Sequence, residues 1–435
     1  MLNKYKENIP IKKTNSEKLI SFPKCSEDIL NKSFKIMLEG KNPSEIIDWK
    51  YQGVVPIFPS DFLNEIVNML RIYPENGSKF LEYIVNGNSI NIQNLNWSEI
   101  FKILLNYIPD SFTIIEHCLR VAPEIRLIYI KLDGLTKLFH FSKINIYQKI
   151  VSRIFLSLSF ERFPDFINNK RKDNILIAVG KDERINFDEE ETHVGKGECK
   201  FIKFCENLLL SNDLETRINI LESFKNQAQI NPSLKSLFYN ILLRCLDNIE
   251  YEEEFILYIE TLSISLENYE FYYLGNIFDI LRKLIKTTTN MKLIDSICDF
   301  IRFNVQKHGG EFGYNLDIIK DLLKQLEKDI SFETKKNIIQ VLLNVINALP
   351  EKLFLFLNDT VFNSLLTFLY SEDSVLISNI LIIINKTIEI YSDKLHIYNL
   401  IIPYSDIFIQ LFYSENKTIS EESSKINIFI GNFMV

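Results

Sequence analysis

Two long helical patterns set one repeat apart constrain this chain more than any other feature. Phe332 to Leu349 and Ser374 to Tyr391 both carry apolar residues at helical spacing, and their starts lie about 42 residues apart. Two short patterns, Glu351 to Asn358 and Thr360 to Tyr370, fill the interval. A unit of two small helices and one large one cannot bury its apolar face alone, so neighbouring units must stack on it. The spacing therefore predicts an α-solenoid. Further units begin near Lys200, Pro232, Glu270, Tyr314, Glu351 and Lys394, at intervals of about 32 to 44 residues. Leu214-Glu-Thr-Arg-Ile-Asn-Ile220 ahead of Asn226 also parallels Phe332-Glu-Thr-Lys-Lys-Asn-Ile338 ahead of Asn344. That offset is about three repeat lengths.

Composition agrees with helices. Only 13 Gly and 12 Pro occur in 435 residues, whereas sandwiches and barrels need such turn residues every few positions. The abundance of Ile would suggest strands, but Ile, Asn and Lys are enriched together, as AT-rich codon usage produces, and the β signal is discounted. A net charge of −8 argues against direct nucleic-acid binding and is compatible with a basic partner. Six Cys lie far apart without a C-x-x-C, the pattern of reduced thiols in the cytoplasm or nucleus. The N-terminus lacks an apolar signal region, and the most apolar run, around Val375 to Ile384, is interrupted by Ser378 and Asn379. No membrane span is expected.

Residues 1–26 read as a polar, Lys-bearing disordered tail and residues 27–170 as N-terminal helical repeats. Ser26 is expected to cap the first helix. Pro59-Ser60-Asp61 caps an amphipathic helix from Phe62 to Ile72, and Asn76-Gly77 is expected to turn the chain before a short helix at Lys79 to Val85. Trp97 to Ile108, Phe112 to Val121, Glu124 to Phe139 and Ile144 to Ser159 follow as helices. Residues 171–197, with the run Asp188 to Glu191, read as an exposed charged loop, functional or disordered. Residues 198–435 form the C-terminal repeats.

Site chemistry is sparse. His117-Cys118, and His193 with Cys199 and Cys205, lack zinc-type spacing. Gly195-Lys-Gly-Glu lacks the phosphate-loop frame, and no Ser or Cys nucleophile stands in a recognisable setting. With only five His there are few acid–base candidates. The expectation is a non-catalytic chain with no cofactor, no metal and no small-molecule substrate.

Two segments resemble the armadillo repeat family. Leu208-Leu-Leu-Ser-Asn-Asp213, then Thr216 and Phe224-Lys-Asn226, follow its register, as do Phe368-Leu-Tyr-Ser-Glu-Asp373, Val375 and Ile384-Asn385. Thr334 to Asn344 matches the second half, and Gly53-Val-Val-Pro56 is similar to the Gly-x-Ile-Pro that opens the family's second helix. The resemblance implies an all-α fold, a right-handed α-solenoid of about nine or ten armadillo/HEAT-like repeats. It implies a protein-binding scaffold that takes a partner segment on its concave face. In the importin-alpha branch, third-helix Asn residues grip a peptide backbone, which a carboxamide can do with one acceptor and two donors. The matching positions are Asn226, Asn268, Asn304, Asn344 and Asn385. Since roughly one residue in ten is Asn, composition alone also generates such a series. The branch's Trp positions fall at Glu222, Ile264, Phe300, Gln340 and Leu381, where Phe300 alone is aromatic and could stack on a cation. The alternatives are an adaptor for basic nuclear-localisation peptides and a regulatory subunit of an enzyme complex.

Overall fold

A computed structural model describes residues 23–51, 55–87, 89–161, 196–245, 249, 251–265, 275–309, 316–350, 352 and 359–434. Among these the regular structure is helical, and the one backbone bridge outside helices joins Lys24 to Ile57. The chain is all-α. It divides into two compact units, Met1–Phe163 and Pro164–Val435.

The first unit opens with α1 (Glu27–Leu38), α2 (Ser44–Tyr51), α3 (Ser60–Ile72) and α4 (Pro74–Gly87). It continues with α5 (Ser89–Asn94), α6 (Trp97–Asn106) and α7 (Phe112–Val121), then α8 (Arg126–Lys131), α9 (Gly134–Phe141) and α10 (Asn145–Leu158). Neighbours in sequence alternate between two rows: α1, α3, α6 and α8 touch in series, and so do α4, α7 and α10. Aromatic side chains fill the interior. Phe58, Phe62 and Phe80 cluster at one end, and Phe112, Phe141 and Tyr147 lock the corner between α9 and α10. Burying a large apolar side chain stabilises by roughly 1.5–3 kcal/mol, so these clusters dominate the unit's cohesion.

Four expectations for this unit change. Pro23 to Ser26 is held in place, because the Cys25 amide donates to the Ile57 carbonyl at 3.0 Å and the Ile57 amide to the Pro23 carbonyl at 2.9 Å. Asn76-Gly77 does not turn the chain but lies inside α4. A Cβ on Gly77 would meet the Leu70 backbone at 2.9 Å, so glycine here permits close approach of α3 and α4. The helix expected from Glu124 to Phe139 breaks at Asp133, which adopts a left-handed φ of 63° ahead of Gly134. The Tyr129 ring lies against Gly134 where a side chain would otherwise stand. Ser26 occupies the N-cap position of α1, yet its side chain makes no capping bond; its amide donates instead to the Tyr51 hydroxyl at 2.7 Å.

The second unit begins with α11 (Lys196–Leu209), α12 (Leu214–Ile230), α13 (Lys235–Cys245) and α14 (Glu252–Ser265). Next come α15 (Gly275–Thr287), α16 (Met291–His308), α17 (Asp317–Leu323) and α18 (Phe332–Ala348). It closes with α19 (Asp359–Thr367), α20 (Ser374–Ile390), α21 (Lys394–Ile401), α22 (Ser405–Phe412) and α23 (Lys417–Met434). The long helices α12, α14, α16, α18, α20 and α23 touch one another in that order. On the other row α11 packs on α13, α15 on α17, and α19 on α21.

The sequence shows why the long helices start where they do. Asp213 accepts from the Thr216 amide at 2.9 Å, Asn290 from Lys292 at 3.1 Å, Ser331 from Thr334 at 3.1 Å, and Asp373 from Leu376 at 2.9 Å. Each cap satisfies an otherwise orphaned helical N–H and is worth about 1 kcal/mol. The helices then bury a dense aliphatic face; on α18 this is Ile338, Ile339, Val341, Leu342, Leu343, Val345 and Ile346. The expected tail up to residue 22, Gly53, Asn268, the helix at 351–358 (Lys352 apart) and most of the charged loop at 171–197 lie outside the described residues.

Candidate interaction surface

Four of the five neighbouring pairs of long helices in the second unit, α12–α14, α16–α18, α18–α20 and α20–α23, are tied by polar side chains about one repeat apart in sequence. Arg217 on α12 and Glu254 on α14 form a buried ion pair at 2.8 Å. The Thr261 hydroxyl on α14 donates to the Leu221 carbonyl at 3.3 Å. Asn337 on α18 donates to Asp295 on α16 at 2.9 Å. Between α18 and α20, Lys336 pairs with Asp373 at 2.7 Å and Asn379 donates to Gln340 at 2.7 Å. Asn385 on α20 donates to both the Glu422 carbonyl and its carboxylate at 2.8 Å, joining α20 to α23. These partners are separated by 37 to 42 residues. The recurrence is a common register shared by these four helix pairs.

That register decides where the expected peptide-gripping residues sit. Asn385 is 6% exposed and its amide nitrogen already serves Glu422. Asn304 is fully buried and donates to the Phe300 carbonyl on its own helix at 2.7 Å. Phe300 is fully buried against Phe278, with ring centres 5.9 Å apart, so it has no face to offer a partner's cation. Asn226 and Asn344 are half-buried; the Asn344 carbonyl oxygen accepts from Gln340 at 3.3 Å. The carboxamides that the importin resemblance assigned to a partner's backbone are, at Asn385 and Asn304, committed within the chain. The bridges at Asn337, Asn379 and Gln340 use the same chemistry between helices.

A different set reaches the surface. Glu222 and Lys225 on α12, Glu260 on α14, and Asp295, Asp299 and Arg302 on α16 form a connected polar face. Lys225 pairs with Glu260, and Arg302 with Asp299 at 2.8 Å. Four carboxylates therefore face two cations. Partial burial pushes the Glu222 carboxyl up, offset in part by Lys225. Packing also raises the Asp299 carboxyl; Arg302 opposes that, and the nearby Asp295 and Glu260 charges add to it. Toward the end of the row the face turns to carboxamides: Gln340, Asn344 and Asn347 on α18, with the buried Asn379 of α20 donating to Gln340 beneath them. Glu222 and Gln340 stand at positions where the importin resemblance calls for Trp, departures that gave no sequence signal for this face.

The cysteines behave as core. Cys118, Cys205 and Cys298 are fully buried and burial pushes their thiols up; the Cys245 thiol is pushed up to about 12.

Comparison with known proteins gives a fold and nothing more. No family profile matches the chain, and no curated protein does. Among solved structures the chain is similar to an engineered protein, a Northeast Structural Genomics Consortium target. The TM-score is 0.60 at 13% identity, covering 93% of this chain and 96% of that one. Matches extend to 117 solved chains, so the helical arrangement is widely shared and assigns no activity by itself.

Proposed function

We propose that the chain is a non-catalytic protein-interaction scaffold. On this reading the second unit is an armadillo-like α-solenoid, and its row of long helices receives an extended, basic segment of a partner protein. The observation that carries the proposal is the partly exposed polar face from Glu222 through Glu260 and Asp299 to Gln340 and Asn344. Its carboxylates outnumber its cations, and two of them, Glu222 and Asp299, are pushed up by partial burial that Lys225 and Arg302 oppose. A lysine or arginine side chain laid across them would supply the missing charge. The repeated 37–42-residue register of the inter-helix bonds supports the solenoid reading. The same bonds weigh against a backbone-gripping Asn series, so a general scaffold is favoured over a nuclear-import adaptor.

A photo-crosslinking amino acid placed at Gln229 or Asn347, on exposed ends of α12 and α18, tests this in whole-cell extract. Salt-sensitive adducts from these positions, absent from the same probe at Lys283 on α15, are expected. Equal adducts from Lys283 would remove the long-helix face from consideration.

A further inference from the structure

The charge of this chain is unevenly placed. Between Arg126 and Phe160 there are six Lys or Arg residues and a single acid, Asp133, although the whole chain carries −8. The stretch spans α8, α9 and α10 of the first unit. Lys131, Lys137 and Lys143 are exposed and have no carboxylate within ion-pair distance among the described residues. Lys149 and Arg153 are exposed on α10, on the side shared by Ile146.

Apolar side chains stand among these cations. Ile144 is 38% exposed and Ile146 is 77% exposed, at the turn that joins α9 to α10. The turn is rigidly built. Phe141 stacks edge-on against Phe112 at 5.2 Å and Tyr147 at 5.5 Å, and the Ile144 amide donates to the Phe141 carbonyl at 3.0 Å. An isoleucine that is three-quarters exposed projects from the surface and does not line a cleft. A turn that projects aliphatic side chains beside Lys143, with Lys137 on α9 and Lys131 at the end of α8 also exposed, presents two kinds of contact, apolar at the tip and cationic in the turn and the helices before it.

We infer that the α9–α10 turn docks on an anionic lipid surface, with Ile144 and Ile146 entering the headgroup boundary and Lys131, Lys137 and Lys143 facing the negative headgroups. A nucleic-acid backbone matches the charge but offers nothing to cover the isoleucines. An acidic polypeptide would seat best in a groove, which a projecting turn does not provide. A lipid interface supplies both complements, and a weak apolar anchor joined to a basic patch is the pairing that gives stable peripheral attachment. No helix among the described residues is long and apolar enough to cross a membrane, so the contact is to the surface only.

Sedimentation of the full-length chain with vesicles tests the inference, using phosphatidylcholine alone and phosphatidylcholine with about one-third phosphatidylserine. Binding is expected to the mixed vesicles only, and it should fall as salt is raised. Lys143→Gln should weaken it roughly fivefold, as expected for one cation near an anionic surface. Ile146→Ser should weaken it roughly tenfold through lost apolar insertion. Ile428→Ser, at an isoleucine 62% exposed in the second unit, should leave it unchanged. All three positions are on the surface, so unchanged helicity confirms that folding is intact. Absence of binding to the mixed vesicles at low salt would overturn the inference. So would binding indifferent to Ile146→Ser, or tighter binding to single-stranded RNA that depends on the same lysines.

Discussion

Removing one charge of the Arg217–Glu254 pair should uncouple α12 from α14. Both side chains are nearly dry, 6% and 2% exposed, and the Nε–Oε1 distance is 2.8 Å. Glu254→Gln keeps the shape and deletes the charge, leaving the guanidinium with the Ser211 carbonyl at 2.5 Å and the Tyr251 ring at 5.7 Å. Breaking a buried pair from one side costs about 3–5 kcal/mol. The two remaining partners place Glu254→Gln near the lower end, at about 3 kcal/mol. Arg217→Met should cost a similar amount by stranding the carboxylate. The double change Arg217→Met with Glu254→Leu removes both charges and should return to within about 1 kcal/mol of the parent. A chain of two units need not unfold in one step, so the assay is hydrogen exchange of the α12 and α14 amides in dilute urea. Single variants costing under about 1 kcal/mol, or a double variant as costly as the two singles together, would refute the claim that this pair pins the row.

Three further outcomes follow from particular contacts. Asn385→Ala removes two bonds to Glu422 and should cost about 1–2 kcal/mol, read as faster exchange in α23 with little change in α12. Gly134→Ala drives a methyl into the Tyr129 ring and should cost about 1–3 kcal/mol in the thermal unfolding of the first unit. The Lys336 ammonium, with the Leu376 amide, holds the Asp373 carboxyl below its ordinary value. A depressed folded-state pKa contributes stability above the unfolded value of about 3.9, lost as pH falls through the folded value. Asp373→Asn should therefore flatten the acid limb of a stability-versus-pH curve; an unchanged limb would contradict this.

Much of the helical frame was legible because helix formation is local. Apolar spacing and capping residues placed α3, α7, α18 and α20 within a residue or two of their observed ends. Asp213 and Asp373, noticed as parts of a family-like Ser-x-Asp turn, prove to be N-caps. What failed depended on contacts between helices. Asn76-Gly77 has the local signature of a turn, but Leu70 sits against Gly77 and the pair is absorbed into α4. Asp133 and Gly134 break a helix because of where the Tyr129 ring packs, which no periodicity announces. The Asn series divides: Asn304 and Asn385 are buried and bonded within the chain, and Asn226 and Asn344 are half-buried. Spacing by one repeat is what a partner-binding ladder needs, and it is equally what bonds between adjacent helices need. Burial separates the two, and sequence does not report burial for a residue as ambivalent as Asn. The carboxylate cluster was harder still to see, since Glu222, Glu260 and Asp299 share no motif and meet only through the stacking of three helices.

The central claim, that the long-helix row of the second unit receives a basic segment, is most directly tested by fluorescence-anisotropy titration of a Lys/Arg-rich peptide against the full chain. Binding should appear at low salt and weaken as salt rises and as acidification protonates the carboxylates, Glu222 and Asp299 ahead of fully solvated ones because burial raises them. Glu222→Gln with Asp299→Asn should weaken it about tenfold, the loss of two partly desolvated charges. No binding at low salt, or the same affinity in the double variant, would contradict the account.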